Sequence, residues 1–220
     1  MLIDLHLHTQ LSSDSNVSAE QYLEANRRAG SVLSAVCFTE HRLYPSDAET
    51  SRSYDELSQE FAIHIFRGVE ADTDLGHLLL FGITPMIAKT FDLTSRMLKS
   101  RDLILQLYSE GGVAIPAHPF RESGFGARLE ELIGTFGREF RAIEVLNGQN
   151  TPGQNQLAEA AALRLRLTSI GGSDAHFATP KWFPICATEF EKPVTSVENL
   201  CAELRAGRAS AKRIQPSINA

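Results

Sequence analysis

The chain has 220 residues, of which 43% are hydrophobic and 22% are charged, and its formal net charge is −6 at pH 7. These values are typical of a soluble globular protein, and the length predicts one domain over residues 1–220. The acidic balance argues against a dedicated nucleic-acid binder, and no apolar run in the sequence approaches the ~20 residues of a membrane span.

Short β-rich runs alternate with helical segments along the chain. The runs lie at 2–8, 32–39, 61–70, 77–83, 112–118, 140–146 and 167–173. Helices are predicted from Ser18 to Gly30, within 94–112, from Pro152 onward, and at about 195–206. Strands that alternate with helices favour a parallel sheet with helical crossovers. Seven such units in one domain favour a closed or nearly closed barrel.

Polar side chains stand where the predicted strands end. The first strand places Asp4, His6 and His8 on one face, opposite Leu5 and Leu7. Four later strands are followed or closed by polar residues, namely His41, Glu70, His118, and Asp174 with His176. In barrels of alternating strands and helices, the carboxyl ends of the strands carry the active site. We therefore predict that these side chains form one ring of donors.

The composition of this ring indicates which ion it could hold. Neutral imidazole and carboxylate together suit zinc, manganese or iron, whereas calcium and magnesium prefer mostly oxygen. Histidine and carboxylate ligands without thiolate favour a hydrolytic cluster over a structural zinc site. Cys37, Cys186 and Cys201 show no paired-ligand spacing, so we interpret them as buried hydrophobes in a reducing compartment. With no leader pattern at the N-terminus, we expect a cytoplasmic protein.

Six motifs stand in order along the chain: DLHLHTQLSSDS, FTEH, GVEAD, GHLLLFG, AHPFR and GGSDAH. As a set, over residues 4 to about 176, they resemble the motifs of the polymerase-and-histidinol-phosphatase (PHP) family. The resemblance implies a distorted (β/α)7 TIM-like barrel that binds two to three divalent ions, either Mn, Zn or Fe. It also implies hydrolysis of phosphate esters by a metal-activated water.

The resemblance further implies a set of ligands for each ion. The first ion would be held by His6, His8, Glu70 and Asp174. The second would be held by Asp14, His41 and His176. A third would lie between Glu70, which bridges, and the pair His77 and His118.

Several of these positions have a second interpretation from the residues alone. Asp14 could be a turn or helix-capping residue, and His77 stands at the start of a strand, where a structural histidine would also fit. The PHP family usually has Asp where this chain has Glu40, which we interpret as a support for a neighbouring imidazole. Glu144 and Asn147 resemble a family feature near the site, although a buried ion pair or a turn would explain them nearly as well.

The predicted reaction needs positive charge beyond the metals. Arg121 follows His118 by three residues and could contact a phosphate with its guanidinium, and Arg42 follows a proposed ligand directly. A solvated surface side chain is the alternative for either arginine. We place Arg121 and His176 among the catalytic residues.

The main prediction is a phosphoesterase for a small metabolite, a nucleotide or a short oligonucleotide. We expect neither a stable nucleic-acid complex nor a membrane partner. One alternative is an amidohydrolase on a similar barrel, although no lysine stands at a strand end to bridge metals in that family's manner. The other alternative is a module that binds metal without turnover.

Overall fold

The computed structural model describes residues 1–122, 125–137 and 140–215. These residues form nine strands and seven helices. The strands are β1 (Leu2–Leu7), β2 (Ala35–His41), β3 (His64–Thr73), β4 (Gly76–Phe81), β5 (Val113–Pro116), β6 (Ala142–Asn147), β7 (Thr168–Gly172), β8 (Cys186–Phe190) and β9 (Ala209–Arg213). The helices are α1 (Ala19–Arg28), α2 (Ala48–Phe61), α3 (Pro85–Thr90), α4 (Ser100–Ser109), α5 (Leu129–Phe136), α6 (Pro152–Leu165) and α7 (Val197–Arg205).

The strands are divided between two sheets. Seven form one sheet in the order β5-β4-β3-β2-β1-β8-β9, and β6 pairs with β7 in a second, parallel sheet. Within the large sheet, only β1–β2 and β2–β3 are parallel, and the other four pairings are antiparallel. The mixed α/β fold is confirmed. The mostly antiparallel large sheet nevertheless differs from the distorted (β/α)7 TIM-like barrel that was predicted.

The hairpin between β3 and β4 is one cause of this departure. Only two residues separate the paired Thr73 and Gly76, and so short a loop joins antiparallel strands, never parallel ones. Gly76 has a φ of +90°, and a Cβ there would lie 2.5 Å from the carbonyl oxygen of Gly126. Glycine therefore permits both the tight turn and the close approach of the chain around Gly126.

The second sheet lies beside β1 and brings its own carboxyl end to the same place. The amide of His8 donates to the carbonyl of Ala175 at 3.2 Å, and the amide of Asp174 donates to the carbonyl of His6 at 2.7 Å. The residues that follow β7 are thus fixed to the end of β1. The strand ends therefore meet as predicted, but they belong to two different sheets.

The inner core fills the space below this meeting point. Leu5, Cys37, Leu79 and Ile115 belong to one apolar cluster and are fully buried. Helix α7 closes the cluster with Leu200 and Leu204, among other residues. As predicted, the three cysteines are buried and free of disulfides. No helix among the described residues has the length and apolar character that a membrane crossing requires.

Candidate metal centre

Glu70 lies at the centre of the site. Five imidazole nitrogens lie within 3.4 Å of its two carboxylate oxygens. Oε2 is approached by His6, His8 and His41, and Oε1 by His77 and His118. These histidines come from β1 and the residue that follows it, from β2, from β4 and from the chain after β5, so the site joins separate parts of the fold around one carboxylate.

Four donors form a deep group, which consists of His6, His8, Glu70 and Asp174. Their ligand atoms lie within 4.8 Å of one another, and each residue is at most 2% exposed. Nε2 of His6, Nε2 of His8 and Oε2 of Glu70 are buried without a hydrogen-bond partner. Buried polar atoms without partners are costly and rare. A divalent cation between them would supply the missing partner, so the residues fit the metal that the sequence predicts.

Three donors form a rim group, which consists of Asp14, His41 and His176. Oδ2 of Asp14 lies 3.3 Å from Nε2 of His41 and 3.4 Å from Nε2 of His176. Their side chains are 53%, 13% and 18% exposed, respectively. The N-cap of α1 is Ser18, so Asp14 does not cap that helix. The rim group adjoins the deep group through His8, whose ligand atom lies within 4.8 Å of those of His41 and His176.

His77 faces the site rather than the core. Its Nδ1 lies 2.8 Å from Oε1 of Glu70, and its ligand atom groups with those of His41 and Glu70. Its Nε2 lies 3.1 Å from Oδ1 of Asp72. Asp72 is a residue of the site that was not predicted from the sequence. Asp72 stands two residues after Glu70 in GVEAD, and residues two apart share a face of a strand. The spacing of Glu70 and Asp72 is therefore the sequence pattern that could have identified Asp72 as a residue of the site.

Arg42 has a structural partner at the edge of the site. Its Nη1 donates to Oδ2 of Asp72 at 3.0 Å, so it supports the carboxylate that faces His77. Arg42 is therefore not a freely solvated surface side chain.

Glu40 supports the site through an intermediate residue. It is fully buried and accepts hydrogen bonds from the amide and hydroxyl of Thr9 and from the hydroxyl of Ser12. The Ser12 oxygen in turn accepts from the amide of His41 at 3.0 Å and lies 3.3 Å from Nδ1 of His8. The predicted support of an imidazole by Glu40 is present, with Ser12 between the two.

Arg121 lies against the deep group. Its Nη2 donates to Oδ2 of Asp174 at 2.6 Å and to Oδ1 of Asn147 at 2.8 Å, and its Nε donates to Oδ1 of Asn150 at 3.0 Å. The side chain is 20% exposed. Arg121 is therefore held in place beside a predicted ligand and is not a freely solvated arginine.

Charges in the site stabilise one another. Burial raises the pKa of Glu70, but the neighbouring histidines, His6 first, outweigh it and hold the pKa well below the usual value. The pKa of Asp174 is lowered in the same way by His6, His8 and Arg121, against burial. Burial lowers the pKa of His8, but its contacts with Asp174 and Glu70 raise that pKa to about 9. The carboxylates therefore attract positive charge, which a metal ion would also supply.

The sequence matches a known family over more than half of its length. The PHP domain model covers residues 4–122. The chain belongs to the PHP family. A second model, the PHP-associated segment, covers residues 152–179, which include α6 and the chain that carries Asp174 and His176. Together with the donor groups, membership of the family identifies a metal-dependent hydrolase.

Solved structures share the fold at low sequence identity. PsfC from Pseudomonas syringae is 21% identical with a TM-score of 0.68, over 96% of this chain and 90% of that one. An amidohydrolase from Chromobacterium violaceum, with bound sulfate and no metal, is 18% identical with a TM-score of 0.63, over 98% of both chains. At such identities the likeness shows the fold alone. No curated protein sequence matches the chain.

A third similar structure belongs to a longer protein. The lesion-specific endonuclease PfuEndoQ from Pyrococcus furiosus is 15% identical with a TM-score of 0.67, over 96% of this chain and 57% of that one. The fold of this chain therefore occurs both in a chain of similar length and as part of a longer nuclease.

Proposed function

We propose that the protein is a phosphoesterase that cleaves a phosphate ester of a small metabolite, a nucleotide or a short oligonucleotide. The observation that carries the proposal is the position of Arg121, whose guanidinium adjoins a buried group of unpartnered metal donors. A phosphate needs both multiple cations and a directional donor beside them. Unpartnered metal donors and a fixed guanidinium stand side by side at the edge of the deep group, which supports the proposal.

Two to three divalent ions, Mn, Zn or Fe, would be held by the nine predicted ligands. Such ions lower the pKa of water and neutralise charge on phosphoryl oxygens. Glu70 and Asp174 would supply the negative charge that holds such cations in a buried site. His77 and His118, both within 2.9 Å of Oε1 of Glu70, support the proposal of a third ion.

Two residues are proposed to act on the substrate side. Arg121 would bind non-bridging oxygens of the phosphate and stabilise the charge that develops on them. His176 is the most exposed of the six imidazoles of the site, at 18%, so it lies where a substrate would first reach the ligands. It would combine ligation of the rim ion with contact to the reacting group.

An amidohydrolase is the second candidate, because the similar structure from Chromobacterium violaceum carries that description. Three of the five lysines of this chain are engaged elsewhere. Lys99 pairs with Asp74, Lys212 with Glu189, and Lys181 lies over the ring of Trp182. A bridging lysine is thus not supported, which favours the phosphoesterase.

A substrate screen tests the proposal. The metal-free protein is reloaded separately with Mn²⁺, Zn²⁺ and Fe²⁺ and assayed on phosphate monoesters, nucleotides, short oligonucleotides and amides. We expect metal-dependent release of phosphate or of a shortened oligonucleotide, which Asp174→Ala abolishes. Cleavage of amides alone would establish the second candidate. Stoichiometric metal binding without any turnover would instead favour the non-catalytic module.

A further inference from the structure

Strand β6 enters the site without supplying any of the predicted ligands. It carries Glu144, which is fully buried, and Asn147, which is 1% exposed. A buried carboxylate without a counter-charge or donors is strongly destabilising. The contacts of Glu144 therefore indicate what it does for the site.

Glu144 is shared between two predicted ligands. Its Oε1 lies 2.9 Å from Nδ1 of His6, and its Oε2 accepts from the amide of His118 at 2.7 Å. A carboxylate only accepts hydrogen bonds, so Nδ1 of His6 must carry a proton at this distance. The remaining nitrogen, Nε2, is the buried and unpartnered atom that faces Glu70 and Asp174. Glu144 thus directs the metal-binding nitrogen of His6 toward the deep group.

The same carboxylate is linked to the opposite side of the deep group. Nδ2 of Asn147 donates to Oε2 of Glu144 at 3.0 Å and to Oδ2 of Asp174 at 3.1 Å. Oδ2 of Asp174 also accepts from Arg121, which leaves Oδ1 to face His6 and His8. One connected network therefore orients ligands from β1, from the chain after β5 and from the chain after β7.

Glu144 also stabilises the backbone conformation of His118. His118 has a φ of +31°, a left-handed conformation that costs energy for any residue other than glycine. The hydrogen bond from its amide to Glu144 helps to hold that conformation. Loss of the acceptor would therefore disturb His118 as well as His6.

We propose that Glu144 is a positioning residue, which fixes His6 as an Nε2 ligand and anchors His118. This inference rests on the metal centre of the proposed function, but it holds whatever the substrate is. Carboxylates that orient ligating histidines typically change metal affinity 10–100-fold when they are removed. The role is therefore measurable with metal alone.

Glu144→Gln is the variant that tests this role. Glutamine has the same shape, yet its amide has one acceptor oxygen and one donor nitrogen. Whichever way the amide turns, its NH₂ group faces an N–H of His6 or of His118. We expect Zn²⁺ to bind about 10–100-fold more weakly at one equivalent, as measured by titration calorimetry. The matched control is Glu203→Gln, which removes a carboxylate paired with Arg208 far along the chain in α7 and should leave Zn²⁺ affinity unchanged.

A second measurement keeps the test decisive if Glu144→Gln does not fold. Nitrogen NMR of the zinc-loaded wild-type protein reports which nitrogen of His6 carries the proton. We expect a proton on Nδ1 and zinc on Nε2. A proton on Nε2, or wild-type Zn²⁺ affinity in folded Glu144→Gln, would overturn the proposal. A wild-type protein that binds no metal would refute the metal centre itself, whereas absent turnover with normal metal binding would refute only the phosphoesterase.

Discussion

The deep group and the rim group use the same kinds of side chain in different surroundings. His6, His8, Glu70 and Asp174 are almost inaccessible to solvent, whereas more than half of the Asp14 side chain is exposed. Deep donors can be satisfied only by one another, by supporting residues or by a cation. Rim donors can also be satisfied by water. The comparison shows that burial, and not ligand type, separates these two parts of the centre.

The deep group also has more supporting contacts than the rim group. His6 is oriented by Glu144, and Asp174 by Asn147 and Arg121. In the rim group, His176 has one such contact, from its Nδ1 to the carbonyl oxygen of Asp174 at 3.0 Å. No side chain of the described residues is seen to donate a hydrogen bond to the carboxylate of Asp14. We therefore expect the deep ion to bind tightly and the rim ion to exchange readily.

The largest effect is expected from Asp174→Ala. The change removes a proposed ligand of the deep ion and leaves Arg121 without its carboxylate partner beside the site. The purified wild-type protein should hold at least two transition-metal ions, and the variant should hold fewer. Activity should fall by more than the ~100-fold that is typical of losing a supporting residue. Elemental analysis and phosphate-ester assays measure the two losses.

The control for this variant is Asp55→Ala, which removes an exposed carboxylate on α2. It should keep both metal content and activity. One ion or none in wild-type protein prepared without a chelator would contradict the cluster. Full metal content in Asp174→Ala would show that the deep group does not depend on this carboxylate.

A smaller and more selective effect is expected from Asp14→Ala. The variant removes the only predicted carboxylate of the rim group, but it leaves the deep donors and their supports intact. About one metal equivalent should be lost on dialysis, and the remaining ion should resist chelator as in the wild type. Anomalous scattering at the metal edge, before and after dialysis, would locate the ion that leaves. Loss of the deep ion before the rim ion would contradict the expectation that the deep ion binds more tightly.

Much of this site could be predicted from the sequence because many of its proposed ligands stand at or just after the ends of strands. The spacing of His6 and His8, and the runs that precede His41 and His118, carry that signal directly. The seven predicted strands are all present, with shifted bounds. The cap of α1 at Ser18 is also confirmed, since Ser18 and Gln21 form a reciprocal capping box.

The parts that could not be predicted depend on contacts between distant residues. Glu144 and His6 are 138 positions apart, so no local pattern distinguishes a support for His6 from a buried ion pair. Strands β8 and β9 were missed because short runs such as CATEF and ASAKR have weak periodicity. The antiparallel pairings were missed because alternation of strands and helices was interpreted as parallel throughout.

The smallest effect is expected from Arg121→Lys, which separates contact with substrate from support of the deep group. Lysine can keep one charged contact with Asp174, but it cannot present two parallel donors to a phosphate. We expect unchanged metal content and a loss of about 1–3 kcal/mol in transition-state binding, the range for a charged hydrogen bond. That loss corresponds to roughly tenfold to over a hundredfold in kcat/KM on a phosphate ester.

Inhibition by inorganic phosphate distinguishes the two roles of Arg121. If the guanidinium binds substrate, phosphate should inhibit Arg121→Lys more weakly than the wild type while Zn²⁺ affinity stays the same. If it only holds Asp174, Zn²⁺ affinity should fall and phosphate inhibition of the metal-loaded variant should be unchanged. Arg52→Lys is the control, because Arg52 is an exposed residue of α2 and has no assigned part in the site. Unchanged kcat/KM together with unchanged phosphate inhibition in Arg121→Lys would remove Arg121 from the substrate side of the site.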